Sequence, residues 1–228
     1  MTMIATRRAM IAGTGALALS ACATGGLGGI GGLPNLAGVL KDLLGISAER
    51  AFARLLQDDG FLNDSLARLD LPEQFSGAGG IAATLLRTPA VQNELLERVN
   101  DAAGIAARAA EPIVDDAISR LTFADASAVL RGGPHAATGV LETRIGESLG
   151  ERLIPLALEG LGIGGGSDLI VRALSAVSGF DVNALAGDVG RGASRSIFRA
   201  IGREEAAIRA DPRSTNNAAL IAALAALG

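Results

Sequence analysis

Apolar residues recur at steps of three and four from residue 36 onward, and no run of six residues alternates convincingly between apolar and polar. This spacing places apolar side chains on one face of an α-helix, whereas a half-buried strand would repeat every two residues. The pattern therefore predicts an all-α fold. The predicted helical segments cover residues 36–56, 89–110, 113–121, 122–131, 136–149, 151–161, 168–177, 182–208 and 214–227.

Local signals define several of these boundaries. Thr88 and Pro89 form a helix start, because a hydroxyl can cap the first turn and proline needs no donor there. Pro112 should end or kink the helix that follows, since it lacks the donor and its ring clashes with the preceding turn. Gly60 stops the first helix, and residues 162–166, four of which are Gly, predict a loop.

The beginning of the chain has the pattern of an export signal. Two arginines, Arg7 and Arg8, precede an apolar run over residues 9–19. This run is shorter than the roughly 20 residues that a permanent membrane span requires. Leu19-Ser20-Ala21-Cys22 is similar to a bacterial lipobox, and Cys22 is the chain's only cysteine. We expect residues 1–21 to be a lipoprotein signal peptide, cleaved between Ala21 and Cys22, with Cys22 carrying the lipid.

We expect the protein to be located in the cell envelope and to bind the membrane through acyl chains on Cys22. The residue after Cys22 is Ala23, so the Asp that retains lipoproteins at the inner membrane of enteric bacteria is absent. This favours the outer membrane, facing the periplasm. Arg7 and Arg8 also fit a twin-arginine signal, although the general secretory route is the preferred interpretation. Cleavage removes two Arg and no acid, leaving 18 basic against 24 acidic residues, a balance of −6.

Residues 22–34 are expected to form a flexible, lipidated tether, because they are rich in Gly and carry no charge. The Gly spacing over residues 26–31 matches a dinucleotide-binding loop. No strand is predicted before it and Ala51 stands where an acidic residue would hold a ribose, so that interpretation is rejected. The remaining residues, 35–228, are expected to form a single-domain helical bundle.

Composition excludes several functions. One Cys and one His cannot supply a Cys-rich or multi-His metal centre, and one Cys cannot form a disulfide within the chain. The net charge of −4 gives no basic surplus for phosphates, so no nucleic-acid partner is expected. Lys41 is the only Lys and follows Leu40, which rules out a phosphate-binding loop. No cofactor is expected.

A series of short motifs follows the signal in a recognisable order. They are Gly60-Phe61-Leu62-Asn63-Asp64, Leu69-Asp70-Leu71-Pro72, Pro112-Ile113-Val114-Asp115-Asp116-Ala117-Ile118, Thr122-Phe123-Ala124-Asp125-Ala126, Gly132-Gly133 with Ala136-Ala137-Thr138, Glu204-Glu205, Ile208-Arg209 and Asp211-Pro212. In their order and spacing they resemble the bacterial lipoprotein family known as domain of unknown function 4197, from about Gly38 to the C-terminus. The resemblance implies an all-helical envelope protein and no activity.

The chain departs from that family's pattern at two places. An aromatic pair expected after Thr138 is replaced by Val140 and Leu141, and an acidic position after the glycine pair is occupied by Pro134 and His135. If these positions form a binding surface in relatives, this chain differs there.

Four groups of residues are candidates for chemistry. His135 is interpreted as an exposed loop histidine, since no second His or Cys could share a metal with it. A pocket joining it to an acid would instead favour an enzyme. Glu111 and Asp115 could pair on one helix face, but are interpreted as acids at a helix start. Ser167 is interpreted as a helix cap, because the second Gly of a nucleophile elbow is missing.

The fourth group is a basic stripe at four-residue steps. Arg191, Arg195 and Arg199 stand on one line beside Arg203. The stripe could meet anionic lipid or an acidic partner. The preferred interpretation is a solvated helix face that pairs with Glu204 and Glu205.

We therefore expect a non-enzymatic interaction or assembly factor of the envelope, with an envelope protein as partner and no catalytic residues. The alternative is a binding module for a lipid or another apolar ligand, because an interior rich in small aliphatic residues leaves space. A lined apolar cavity of roughly 300 to 1,000 Å³ would favour the alternative.

Overall fold

The structure, a computed structural model, describes residues 35–71, 88–122, 132–162 and 181–227, together with Thr84, Ala124, Ala126, Val129 and Leu130. Every regular element within these residues is helical, which confirms the predicted all-α fold. In chain order the elements are α1 (Leu36–Leu55), α2 (Gly60–Asn63), α3 (Pro89–Ser119), α4 (Ala136–Gly160), α5 (Val182–Ala210), a 3₁₀ helix (Pro212–Thr215) and α6 (Ala218–Leu227).

Several predicted segments lie outside the described residues. These are the signal peptide over residues 1–21, the tether over 22–34 and the helix over 168–177. The segment over 122–131 is described only in part, where Ala124, Ala126 and Val129 are helical.

Helix α1 follows its apolar pattern closely. The Gly38 amide donates to the Asn35 side chain at 3.1 Å and so begins the helix. Leu40, Leu43 and Leu44 are completely buried, as three- and four-residue steps on one face require.

Helix α3 is continuous through Pro112, so the prediction that a helix ends there is wrong. Pro112 is exposed, and so is Arg108, whose carbonyl loses its usual donor four residues later. Water can reach that carbonyl, while the opposite face keeps its packing through Ala110 and Val114, both completely buried.

Helix α4 is also longer than predicted, because it passes through Gly150 without a break. The two helices lie in contact here: a Cβ at Gly150 would stand 3.4 Å from the Arg191 Cα in α5, an ordinary van der Waals distance. Pro155 follows within the same helix and is exposed, like Pro112 in α3. Both prolines interrupt a hydrogen bond on the solvent side and leave the buried face intact.

Helix α5 lies at the centre of the bundle and contacts α1, α3 and α4. Its most extensive interface is with α4. Glycine allows this approach, since a Cβ on Gly190 would stand only 2.9 Å from the Ile154 amide nitrogen. The core therefore combines closely packed backbones with large side chains such as Phe52, Phe61 and Phe198.

The C-terminal prediction of one helix over 214–227 is only partly right. Residues Pro212–Thr215 form a 3₁₀ helix, and Asn216 then has a φ of 54°, which ends that turn. Helix α6 begins afterwards at Ala218, with Leu220 and Ala223 buried. The Leu220 amide donates to the Asn217 side chain at 3.0 Å, so Asn217 caps α6.

Candidate functional site

Three of the predicted site residues lie outside the described part of the chain. They are Ala21 and Cys22, the expected cleavage and lipidation positions, and Ser167, the expected helix cap. Those expectations stay predictions.

Glu111 and Asp115 do not lie at a helix start, so that prediction is wrong. Both lie in the interior of α3, because the helix does not restart after Pro112. Glu111 is half-buried and Asp115 is exposed. Among the described residues, no group of three or more His, Cys, Asp or Glu side chains is placed to hold a metal ion.

The basic stripe on α5 does not pair with Glu204 and Glu205 as expected. Arg191 instead pairs with Asp188 at 3.1 Å on the exposed surface. Arg199 donates to the Ser196 hydroxyl at 2.8 Å. Arg203, beside the stripe, is the one of these arginines that comes near Glu204, with 3.7 Å between its Nε and the Glu204 carboxylate oxygen.

Arg203 has a second and closer partner in Asp64, which ends α2. Its two terminal nitrogens donate to the two carboxylate oxygens at 2.8 and 2.6 Å. The same carboxylate accepts the Leu66 amide at 2.9 Å. The Arg203 hydrogen bonds hold the pKa of Asp64 at about 2, below its usual 3.8, with burial acting in the opposite direction.

The adjacent acid, Glu204, pairs with the first helix. Arg54 donates to its carboxylate across 150 sequence positions, at 2.5 Å. Glu204 is almost fully buried while Arg54 remains half-exposed. The neighbouring positions 203 and 204 thus attach α5 to two separate parts of the N-terminal segment.

Glu205 is completely buried and begins helix α4. Its carboxylate accepts the Ala137 amide at 3.0 Å, the Thr138 amide at 2.8 Å and the Thr138 hydroxyl at 2.7 Å. Arg209 Nε donates to it at 2.8 Å. A carboxylate in this place satisfies amides that the helix itself leaves without partners, and it faces the positive end of the helix dipole.

The motifs that carry the family resemblance are therefore brought together by these contacts. Asp64 ends the first motif, and Glu204 and Glu205 form a later one. Thr138 and Arg209 belong to two further motifs. The sequence places these residues far apart, so their pairing could not be deduced from spacing alone.

Beside this network, a groove lies between the N-terminal turns of α4 and the second half of α5. We call it the His135 groove. It has a volume of about 430 Å³ and is open on one side. It is lined by Leu66, His135, Thr138, Gly139, Glu142, Phe198, Arg199, Gly202, Arg203 and Ala206. The lining surface is mostly apolar, which is typical of sites that bind apolar groups.

His135 is exposed, as expected, and its ring forms one wall of the groove. Its Nδ1 lies 2.8 Å from the Gly202 carbonyl oxygen. Because a carbonyl can only accept, Nδ1 carries the proton and donates it. The close approach favours glycine, since a Cβ on Gly202 would stand 3.2 Å from that nitrogen and the ring would have to shift slightly. No acidic side chain hydrogen-bonds to His135 within the described residues, although Glu142 lines the same groove.

The residues at the two places singled out in the sequence, Val140 with Leu141 and His135, lie in different surroundings in the fold. Val140 and Leu141 face the core, where Leu141 is completely buried, so neither lines the groove. His135 does line it. Residue 135 is therefore part of the groove wall.

Two charged side chains of the groove are available to a bound group. Arg199 and Glu142 form no ion pair with each other or with any other described residue. The sequence pattern identifies Arg199 only as part of a stripe and does not indicate Leu66, Glu142 or Phe198. These residues come from three separate segments, and no periodic pattern shows that they meet.

In the described parts of the chain, none of the helices is both long enough and apolar enough to span a membrane.

The comparison with known proteins gives one match. The model of a family described as "Protein of unknown function (DUF4197)" matches residues 34–224. No curated protein matches the chain, and no solved structure does.

Proposed function

The chain belongs to the family of proteins of unknown function DUF4197, and from this membership and the His135 groove we propose that it is a lipid-anchored, non-enzymatic interaction factor of the bacterial envelope. The single observation that carries the binding role is the groove: an apolar surface of about 430 Å³ with two charged side chains that lack ionic partners among the described residues. Such a surface suits an apolar side chain of a partner protein, with polar contacts at its edge.

Most of the polar residues near the groove are already engaged in contacts that hold the fold together. Asp64, Glu204 and Glu205 are all committed to arginines or helix amides. His135 uses Nδ1 to hold the Gly202 carbonyl. Through these contacts Asp64 holds Arg203 and Glu205 holds Thr138, two residues that line the groove.

The proposed cellular location rests on the sequence before residue 35. Arg7, Arg8 and the lipobox ending in Cys22 support export and lipid attachment, with the periplasmic face of the outer membrane as the proposed location. Several acyl chains on one cysteine would supply the anchor, since each buried methylene contributes about 0.8 kcal/mol and one chain alone binds marginally.

The anchor is tested by Cys22→Ser in the full chain. We expect the variant to lose the lipid mass and to move from the membrane fraction to the soluble periplasm, as measured by intact mass spectrometry and fractionation. Equal masses and equal membrane fractions for the variant and the parent would contradict the anchor.

The binding role is tested by filling the groove. Gly139 lines it, and a Cβ there would meet nothing within 4 Å, so Gly139→Phe can enter the groove without disturbing the helix packing. We expect the amount of envelope protein captured by the tagged, lipidated chain to be at least about tenfold lower for Gly139→Phe than for the parent chain. Arg152→Phe is the matched control, because it places the same ring on an exposed position of α4. Equal capture by both variants would contradict a partner site in the groove.

A second candidate function is the binding of a lipid or acyl chain in the same groove. It is favoured by the apolar lining, with Arg199 available for a carboxylate. Palmitate is the probe: binding followed by native mass spectrometry should be lost in Gly139→Phe, weakened in Arg199→Glu and retained in Arg152→Phe. Equal palmitate binding by all three variants would exclude this candidate.

A further inference from the structure

Two more grooves lie beside the His135 groove on the surface formed by α1, α2, α3 and α5. The Arg203 groove, of about 330 Å³, is lined by Arg54, Asp64 and Arg203, among others. The Ile105 groove, of about 360 Å³, lies between the end of α1 and the middle of α3 and includes Asp101 and Ile105.

The three grooves share walls and so form a row. Arg203 lines both the His135 groove and the Arg203 groove. Gln57, Asp58 and Gly60 line both the Arg203 groove and the Ile105 groove. A bound chain could therefore pass from one end groove to the other through the middle one.

Each end of the row exposes one large apolar side chain. Among the described residues the two exposed large hydrophobics are Leu66, with 47% of its surface accessible, and Ile105, with 44%. Leu66 lines the His135 groove and Ile105 lines the Ile105 groove. Single exposed apolar residues are ordinary, but these two stand at the two ends of one row, where each could contact a bound chain.

The ends differ in charge. The Ile105 groove is lined by Asp58, Asp59 and Asp101, against a single arginine, Arg108. Burial and the nearby Asp59 and Glu94 carboxylates raise the pKa of Asp101. The fold therefore keeps a negative charge in a place where it is electrostatically unfavourable. A cationic group bound there would relieve the repulsion, whereas the phosphate of a lipid or a nucleic acid would increase it.

The middle of the row holds a neutral ion pair and one further acid. Asp64 and Arg203 form a bidentate pair at 2.8 and 2.6 Å, so they offer little net charge to a ligand, while Asp58 lines this groove as well as the Ile105 groove. The His135 groove at the far end is mostly apolar, and its Arg199 and Glu142 are opposite in charge. The surface is thus mostly apolar at one end and becomes acidic toward the other end.

We propose that this row binds one extended segment of a partner protein, with a large apolar side chain in the His135 groove and a lysine or arginine in the Ile105 groove. This inference rests on the proposed function and specifies its partner. A polypeptide is the proposed occupant because one extended chain can supply an apolar side chain at one end of the row and a cationic side chain at the other.

The test is photo-crosslinking in cells with the full lipidated chain. Leu66 and Ile105 are replaced, one at a time, by p-benzoylphenylalanine, and the crosslinked peptides are mapped by mass spectrometry. We expect both positions to crosslink to one protein, at two points of a single continuous segment, with the apolar residue mapped near Leu66 and the basic residue near Ile105.

A charge variant tests the acidic end without loss of stability. Because the Asp101 charge is unfavourable in the fold, Asp101→Asn should leave the thermal midpoint unchanged or raise it. We expect it to lower the crosslinking yield at Ile105 about threefold or more. Asp115→Asn, an exposed acid on the same helix, is the matched control and should leave that yield unchanged.

The inference would be overturned by crosslinks to two different proteins, by a lipid at Leu66, by crosslinking at only one position, or by equal yields in Asp101→Asn and the control. A partner that crosslinks at Leu66 alone, and is lost in Gly139→Phe, would leave the proposed function standing. Absence of crosslinks at both positions would overturn the inference and the protein-binding form of the proposed function together.

Discussion

Asp64 shows how a single side chain links the chain's first segments to its central helix. It binds Arg203 with both oxygens and also accepts the Leu66 and Ala67 amides at 2.9 and 3.3 Å. Arg203 keeps its Nε buried without a hydrogen-bond partner, so Asp64 supplies the close hydrogen-bonded counter-charge, with Glu204 farther away at 3.7 Å.

The Asp64 pair should make the stability of the fold depend on pH. The folded pKa of Asp64 is about 2 and its ordinary value is 3.8. The stabilisation is therefore complete above about pH 4 and is lost as the pH falls toward 2, because the unfolded state binds the proton first. We expect Asp64→Asn to lower the free energy of unfolding by about 2 kcal/mol at pH 7 and to flatten its pH dependence between 4 and 2.

Urea unfolding at several pH values measures both effects. Asp70→Asn, an exposed acid close in sequence, should change the free energy of unfolding by no more than about 0.5 kcal/mol. Parallel pH profiles for Asp64→Asn and the parent chain would refute the role given to the Asp64 pair.

Glu205 is completely buried and accepts from both Thr138 and Arg209, so its loss should be costly. Glu205→Gln leaves the Arg209 charge without its partner and turns an amide group toward helix N–H donors. We expect a loss of about 3 to 5 kcal/mol in the free energy of unfolding. Thr138→Val removes only one of the hydrogen bonds and should cost about 1 kcal/mol. If the two variants unfolded at the same denaturant concentration, the carboxylate would not be the support of α4.

At the scale of elements, helix packing depends on glycines whose role cannot be predicted from the periodicity of apolar residues. The sequence predicts a break between two helices at Gly150, because glycine is a poor helix former. In the structure Gly150 lies inside α4 and packs against α5, and a Cβ there would make an ordinary contact at 3.4 Å. Gly160 allows a closer approach by α3, since a Cβ there would lie 2.8 Å from the Ala102 Cα.

Two glycine substitutions should have opposite effects on stability. A Cβ on Gly190 would stand 2.9 Å from the backbone of Ile154, so Gly190→Ala forces α4 and α5 apart. We expect a loss of about 1 to 3 kcal/mol in the free energy of unfolding. Gly45 in α1 has open space around its Cβ position, so Gly45→Ala should instead gain up to about 1 kcal/mol. Thermal or urea unfolding of the two variants measures both effects. A stabilised Gly190→Ala would show that the interface between α4 and α5 has room for a methyl group.

The elements themselves are largely predictable where apolar spacing and capping residues agree. The start of α3 at Pro89 and the start of α5 at Val182 are as expected. The errors at Pro112 and Gly150 share one cause: local propensity predicts helix ends at positions where tertiary packing on the buried face maintains the helix.

At the scale of the whole molecule, the all-α class and the family are predictable from sequence, whereas the candidate site is not. The short motifs, taken in order, are sufficient to indicate the family. The His135 groove depends on Leu66, His135 and Phe198 meeting, and they come from separate segments. Only His135 stands out in the sequence, as a rare residue type. Sequence spacing reports which face a residue occupies on its own helix, and it does not report which other helix that face meets.

The pairs that tie α5 to the N-terminal segment have a consequence for the order of events during synthesis. Arg54 and Glu204 are separated by 150 positions, and Asp64 and Arg203 by 139. At about 5 to 20 residues per second, α5 is made roughly 7 to 30 s after α1. Through that interval the leucine face of α1 has no α5 to cover it. Until the last fifth of the chain has been made, part of the apolar face of α1 is therefore a surface of the kind that chaperones bind.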